Sequence, residues 1–153
     1  MEQKKIQKIS NNKKAYFNYE ISDKYVSGLR LSGTEIKSIR NGECSMNESF
    51  CYITDSGEVF IKNMYIKKYE YGSYSNHEEV YDRKLLLTKQ QINKINKKVS
   101  EKGFTLVPLK IMLINGWAKI EVGIGKGKKT HDKRDSIKEK DIKRDTERSI
   151  KNH

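Results

Sequence analysis

The chain has 153 residues, which is enough for one domain with an extension but short for two domains. Its 32 Lys and Arg outnumber 20 Asp and Glu, and the resulting net charge of +12 favours a polyanionic partner such as nucleic acid. Cys44 and Cys51 form neither a disulfide framework nor a CxxC metal pair. No apolar run approaches the roughly 18 residues of a membrane span. We therefore expect a cytoplasmic protein without a secretory signal. The alternative to a nucleic-acid partner is a basic protein that binds no nucleic acid.

Three zones differ in composition. Residues 1–14 offer only Ile6 and Ile9 for burial, which predicts a flexible basic arm. Residues 15–125 carry nearly all of the apolar periodicity and form the predicted domain. Residues 126–153 hold 11 Lys and Arg and 6 Asp and Glu against three Ile. Because that segment cannot offset its ordering entropy by burial, we expect a basic tail that is disordered when free.

Within the middle zone most of the pattern indicates β-strands. The Ser56-Gly57 and Asn115-Gly116 pairs predict hairpins, and Pro108 should lie at an edge or bulge because it lacks an N–H. Alternation in the last strand points Lys119 outward, whereas the unbroken apolar run at 83–87 is typical of a strand buried on both faces. The predicted strands cover residues 15–21, 24–31, 50–55, 58–62, 83–87, 104–114 and 117–124.

Two helices have recognisable ends. Ser32 with Glu35, and Thr88 with Gln91, fit capping boxes, and an apolar stripe follows each of them until a glycine. A third short helix could occupy residues 63–74. Many short strands and few helices favour a mainly β protein, a small antiparallel OB-like β-barrel with about three accessory helices.

Catalysis is poorly supported. His131 and His153 lie in the predicted tail, so only His77 could have the fixed geometry that a general base needs. Residues 123–129 are rich in Gly and Lys, but a phosphate-binding loop needs a following helix and a Ser or Thr after its Lys. A flexible exit from the last strand explains this run better. We expect no enzyme activity, cofactor or metal.

Nucleic-acid binding has more support. Residues 65–81 contain five of the nine tyrosines, interleaved with Lys67 and Lys68, and aromatic rings can stack on unpaired bases while ammonium groups meet phosphates. The alternative is that two or three of these tyrosines cap the mouth of the barrel. Lys119, on the outer side of its strand, and the GKGKK run at 125–129 are further candidates for contacts with an RNA backbone.

Ordered motifs along residues 12–153 make the chain resemble the SsrA-binding protein (small protein B) family, the partners of tmRNA in bacterial trans-translation. The motifs are NKKA at 12–15 with Tyr19, GTEIKSIR at 33–40, RKLLL at 83–87, KGFTLVPL at 102–109, and GKGKK at 125–129 followed by HDKR at 131–134.

The resemblance implies an RNA-binding adaptor that binds the tRNA-like domain of tmRNA and delivers it to stalled ribosomes, so that the nascent chain is tagged for degradation. It implies a tail that becomes helical in the ribosomal mRNA channel, near the decoding centre. The implied RNA-binding positions are Asn12, Lys13, Glu35, Lys37, Arg40, Lys84, Leu86, Lys119, Lys126, Lys128 and Lys129. The implied ribosome-binding tail positions are His131, Asp132, Lys133, Arg134, Ile137, Lys138, Glu139 and Ile150.

The same resemblance implies binding partners, and this sequence departs from the family pattern at two places. The implied partners are tmRNA, the ribosome with its small-subunit rRNA, and alanyl-tmRNA with elongation factor Tu; we expect a monomer and no membrane. Val26 stands where relatives often carry a carboxylate, and residues 77–82 are acidic and lack the usual Asp-Pro. A structural ribosomal protein and an RNA-cleaving enzyme are the competing hypotheses.

Overall fold

A computed structural model describes residues 5–72 and 76–128. Within those residues the protein is mainly β, with nine strands and three helices. In chain order the elements are β1 (Ile6–Asn11), α1 (Lys13–Asn18), β2 (Tyr19–Leu29), α2 (Gly33–Arg40), β3 (Cys44–Ser45), β4 (Phe50–Ile53), β5 (Val59–Lys62), β6 (Tyr65–Ile66), β7 (Arg83–Leu86), α3 (Lys89–Val99), β8 (Phe104–Ile114) and β9 (Trp117–Gly127). None of these helices is both long and apolar enough to cross a membrane.

Seven strands form one antiparallel sheet in the order β1-β8-β9-β2-β7-β5-β4, and β3 pairs with β6 separately. The sheet is not closed into a barrel, because β1 and β4 are its two edges, and the predicted OB-like barrel is therefore not confirmed. A cleft of about 240 Å³ is lined by Phe50 of β4 and by residues 105–108 of β8. Strand β4 has only four residues, and it does not pair with β8.

The core lies on the inner side of the sheet. Ala118, Ile120, Val122 and Ile124 are buried, as the alternation in the last strand predicts, and Ile111 packs beside them from β8. Helices α2 and α3 cover this core with the fully buried Ile39 and Ile95, respectively. Because strand residues alternate between faces, the residues between these positions on β9 form the outer surface.

The N-terminal segment differs from the expected flexible arm. Ile6–Asn11 form β1 and pair along β8, with Ile6 opposite Ile114. The Asn12 backbone N–H then donates to the Leu109 carbonyl at 2.8 Å. Backbone pairing at the edge of the sheet holds this segment in place. Its polar composition does not predict such pairing. The chain then forms α1 from Lys13, where the sequence predicts a strand from Ala15.

Local signals with a defined geometry are confirmed. Both capping boxes are present, and Asn115 and Gly116 have φ of 51° and 83°, as a tight hairpin turn requires. The register of β8 against β9 shifts between Pro108 and Lys110, so the proline does mark a bulge.

Three further expectations are wrong. Residues 63–72 form no helix, because they contain the short strand β6 instead. Strand β7 alternates in burial, with Leu85 buried and Leu86 52% exposed, so it is not buried on both faces. The glycine-rich exit at 123–127 is part of β9, and a Cβ at Gly125 would lie 2.9 Å from side-chain atoms of Tyr19 and Val107. The small residue therefore serves close packing within the sheet.

Candidate RNA-binding surface

A row of side chains crosses the outer side of the sheet from β7 to β1. Strand register places Leu86 beside Gly28, Gly28 beside Lys119, Lys119 beside Met112, and Met112 beside Lys8. We call these five residues the Lys119 face. It combines two lysines with apolar surface that is open at Leu86.

Gly28 sets the geometry at the centre of this face. A Cβ at this position would lie 3.3 Å from the Leu86 Cβ and 3.6 Å from the Lys119 Nζ. The absence of a side chain thus leaves the Leu86 side chain and the Lys119 ammonium group close together over bare backbone. A phosphate can meet the ammonium group while sugar or base atoms contact the leucine.

Trp117 extends the outer surface beside Lys119. It lies two residues earlier on the same strand, hence on the same side of the sheet, and is 67% exposed. An exposed indole offers a stacking surface for an unpaired base. The alternation that points Lys119 outward gave no indication of Gly28 and Met112 beside it, because neighbours across strands depend on a register that the sequence does not reveal.

A second cluster joins α2 to the tyrosine-rich segment. The Lys37 Nζ lies 5.2 Å from the centre of the Tyr69 ring, and the Tyr71 ring packs edge-on against Tyr69 at 5.7 Å. Tyr71 is 80% exposed and is available for stacking. By contrast, the hydroxyls of Tyr65 and Tyr81 donate to Glu79 and Glu35, and Tyr74 lies outside the described residues.

Arg40 and Lys84 lie on the surface with partners inside the chain. The Arg40 guanidinium donates to the Gly116 carbonyl at 3.1 Å and so links α2 to the β8–β9 turn. The Lys84 Nζ lies 3.7 Å from a Glu58 carboxylate oxygen. Such exposed ion pairs contribute little to stability, so Lys84 can exchange this partner for a phosphate.

Glu35 is fully buried, so it cannot touch RNA directly as the resemblance implies. Its carboxylate accepts hydrogen bonds from the Ser32 backbone N–H, the Tyr81 hydroxyl and the Arg83 guanidinium. Burial by itself raises the pKa of the Glu35 carboxyl, but the hydrogen bonds from Ser32, Tyr81 and Arg83 hold this pKa below its usual value. Glu35 is therefore ionised in the folded protein at neutral pH.

Arg83 completes this buried ion pair and connects three parts of the chain. Its other N–H groups donate to the carbonyls of Met64, Glu78 and Glu79. The pair therefore ties α2 and β7 to the segment that carries the tyrosines. In the sequence, Arg83 stands out only as the first residue of the RKLLL motif. The one sequence feature that could indicate its burial is the run of apolar residues that follows it.

Asn12 also acts inside the protein. Its side-chain amide donates to the Pro108 carbonyl at 2.8 Å and is buried. Together with the backbone bond to Leu109, this contact fixes the start of α1 on β8. Lys13 follows on the exposed surface, so Asn12 positions a basic neighbour rather than offering its own amide.

The remaining basic candidates lie where β9 ends. The Lys126 Nζ is 5.7 Å from the centre of the Phe104 ring. The Lys128 backbone N–H donates to the Asn18 carbonyl at 2.9 Å, so the end of α1 holds the chain where it leaves the sheet. Lys129 and the tail positions from His131 to Ile150 lie outside the described residues.

His77 and the two cysteines occupy structural positions. His77 is buried, with Nε2 3.0 Å from the Ile66 carbonyl and Nδ1 2.9 Å from the Thr34 hydroxyl. Because a carbonyl only accepts, Nε2 donates the hydrogen bond to Ile66. Burial raises the pKa of the Cys44 thiol to about 11 and that of the Cys51 thiol further. Residues 5–72 and 76–128 contain no group of three or more His, Cys, Asp or Glu that could hold a metal ion.

Exposed lysines, aromatic rings and an apolar side chain on an antiparallel sheet define a basic RNA-binding β protein. A sequence model of the SmpB protein family matches residues 9–152. The chain is 50% identical over 143 residues to the SsrA-binding protein of Bacillus velezensis, which covers 94% of this chain and 91% of that one. It is 48% identical to the SsrA-binding protein of Treponema denticola, with 99% and 97% covered. The chain belongs to the SmpB family.

A solved structure gives the same result. It is described as "tmRNA-SmpB: a journey to the center of the bacterial ribosome" and superimposes with a TM-score of 0.65 at 41% sequence identity. The match covers 83% of this chain and 92% of the other. Sequence and fold therefore agree on the family that the motifs indicate.

Proposed function

We propose that this chain binds the tRNA-like domain of tmRNA and delivers it to stalled ribosomes for trans-translation. The names of its relatives and of its structural neighbour support this function. The observation that carries it here is the Lys119 face, where an ammonium group and an exposed leucine meet over a glycine. A surface of this kind suits an adaptor that binds folded RNA through its backbone and unstacked bases.

Two parts of the chain divide this work. The domain predicted at 15–125, extended by β1 and by the last residues of β9, holds tmRNA. The rest of the predicted tail, from residue 129 onward, is proposed to be disordered when free and to become helical in the ribosomal mRNA channel. There His131 stacks on a base of the decoding centre. The protein acts in the cytoplasm as a monomer, together with alanyl-tmRNA and elongation factor Tu. The family resemblance and the composition of the tail support this division.

Lys119→Glu tests the proposed RNA interface. We expect tmRNA affinity to fall by about tenfold or more, because a phosphate contact becomes a repulsion. The slope of log affinity against log salt should decrease by about 0.7–0.9 for the lost contact. Filter binding or fluorescence anisotropy with full-length tmRNA over a salt series measures both quantities.

Lys62→Glu is the matched control, because Lys62 is an exposed lysine at the end of β5, outside the Lys119 face. It should leave the affinity within about twofold. If both variants lose affinity equally, tmRNA responds only to net charge, and the proposed interface is wrong.

A further inference from the structure

A carboxylate borders the Lys119 face, although the chain as a whole carries a net charge of +12. Glu121 follows Lys119 by two residues on β9 and therefore lies on the same side of the sheet. Strand register places Val26 of β2 and Lys110 of β8 directly opposite it, one on each side. These three residues form a row next to the Lys119 face, about 7 Å further along the strands.

The neighbours of Glu121 hold its side chain in place while its oxygens stay accessible. Side chains that face each other on adjacent strands have Cβ atoms about 4.5–5.5 Å apart, and the Glu121 side chain as a whole is only 14% exposed. Within residues 5–72 and 76–128 its carboxylate accepts no hydrogen bond, and Ser38 Oγ is the one buried side-chain oxygen or nitrogen left without a partner there. The Glu121 oxygens therefore reach solvent, and the carboxylate is a preorganised acceptor.

Stability does not account for the position of this carboxylate. In the part of the chain that the structure describes, its one ion-pair partner is Lys110, with Glu121 Oε2 at 3.7 Å from Lys110 Nζ. That distance is too long for a hydrogen bond, and such a partly exposed ion pair contributes little to stability. Glutamate is also less common in strands than β-branched residues are. A role in ligand binding would account for Glu121 better.

Phosphate binding does not explain Glu121 either, because a carboxylate repels phosphate and, when ionised, can only accept hydrogen bonds. RNA also offers donors, namely the ribose 2′-hydroxyl and the amino and imino groups of unpaired bases. A nucleotide whose phosphate lies on Lys119 brings its ribose and base towards the next row of side chains. Glu121 waits there with an unused acceptor.

We propose that Glu121 determines the specificity of the Lys119 face by accepting a hydrogen bond from the RNA. The donor is either a ribose 2′-hydroxyl or the 2-amino group of an unpaired guanine. This inference rests on the proposed function, since it names the chemical groups that the proposed interface recognises in addition to phosphate. Lys119 then supplies affinity that depends on charge, whereas Glu121 separates an RNA that presents such a donor from other polyanions.

Glu121→Gln in the full chain tests this assignment, because it removes one negative charge with little change of size. We expect the variant to bind tmRNA about tenfold or more weakly. Its affinity for a short DNA duplex, which offers phosphates but neither a 2′-hydroxyl nor an unpaired base, should stay equal or increase. Fluorescence anisotropy over a salt series measures both affinities. The log–log salt slope for tmRNA should not decrease, because no phosphate contact is lost.

Two further variants separate this role from simpler ones. Glu101→Gln removes the same charge from the pair with Lys98, beyond the end of α3, and should keep the tmRNA affinity within about twofold. Lys110→Gln breaks the ion pair of Glu121 but leaves its carboxylate. The ratio of tmRNA affinity to DNA affinity should then stay within about twofold of the original.

Two modified RNAs identify the donor. If the donor is a ribose hydroxyl, the advantage of the original chain over Glu121→Gln disappears with a tRNA-like domain that carries 2′-deoxynucleotides in its loops. If the donor is the guanine amino group, the advantage disappears when inosine, which lacks that group, replaces guanosine in the loops. An advantage that survives both changes overturns the proposal.

The sign of the effect decides between the proposal and simple repulsion. Equal or tighter binding of tmRNA by Glu121→Gln would overturn the proposal, because the carboxylate would then only repel RNA. An equal fall of the affinity ratio in Lys110→Gln would also overturn it, since Glu121 would then act by positioning Lys110. Failure of the original chain to bind tmRNA contradicts the proposed function instead.

Discussion

At the scale of single residues, the buried pair of Glu35 and Arg83 is the most sensitive point of the molecule. Replacing one partner of a buried ion pair leaves the other charge uncompensated, which costs about 3–5 kcal/mol. We expect Glu35→Gln to lower the free energy of unfolding by this amount in urea denaturation. Glu43→Gln is the control, since its pair with Lys67 is partly exposed and should contribute about 1 kcal/mol or less.

The same carboxyl makes stability depend on pH. Because the folded protein holds the pKa of Glu35 below its usual value, its contribution is fully present above the unfolded pKa of about 4.3. That contribution is lost as the pH falls through the lower folded value. The difference in unfolding free energy between the original chain and Glu35→Gln should therefore shrink on acidification; a constant difference down to pH 2 contradicts this role.

Gly28 offers a test in which the proposed interface changes without a change of charge. Gly28→Val fills the space between Leu86 and Lys119, and a β-branched residue suits a strand. We expect tmRNA affinity to fall by about tenfold, while urea unfolding stays cooperative. Gly33→Val, where no atom lies within 4 Å of an added Cβ, should leave affinity unchanged. Equal effects of the two variants would show that the space over Gly28 is not used.

At the scale of elements, β9 depends on small residues where β2 and β8 approach it most closely. A Cβ at Gly125 would lie 2.9 Å from Tyr19 and Val107, whereas one at Gly127 would meet nothing within 4 Å. Gly125→Ala should therefore destabilise the fold by about 1–3 kcal/mol through overpacking. Thermal and urea unfolding measure the effect, and Gly127→Ala should have little. A stable Gly125→Ala variant would mean that β2 and β8 can move apart.

The elements also show which structural features a sequence can reveal. Turns and helix starts depend on neighbouring residues, so Ser32, Thr88 and Asn115 were sufficient to place them. Strand β1 depends on pairing with β8, about 100 residues away, and its polar sequence resembles a free arm. The same limit applies to the candidate site, because alternation predicts that Lys119 faces outward but not that Gly28 and Leu86 lie beside it.

At the scale of the whole molecule, the proposed division between domain and tail predicts that the two activities separate. Deleting residues 131–153 should leave tmRNA affinity nearly unchanged, because the Lys119 face is intact, but abolish tagging on stalled ribosomes. A reconstituted translation system with a message lacking a stop codon measures tagging. His131→Ala should likewise keep RNA affinity and reduce tagging; parallel loss of both activities on deletion contradicts the division.

The hydrogen bond from the Lys128 N–H to the Asn18 carbonyl fixes the point where the downstream segment leaves the domain. Asn18 of α1 anchors the point where the chain leaves β9. Residues inserted after Lys128 therefore lengthen the downstream segment without moving its point of attachment to the domain. Each extended residue adds at most about 3.3–3.6 Å of reach. A series of insertions of increasing length after Lys128 would therefore show how far the downstream segment can be moved from the domain before tagging is lost.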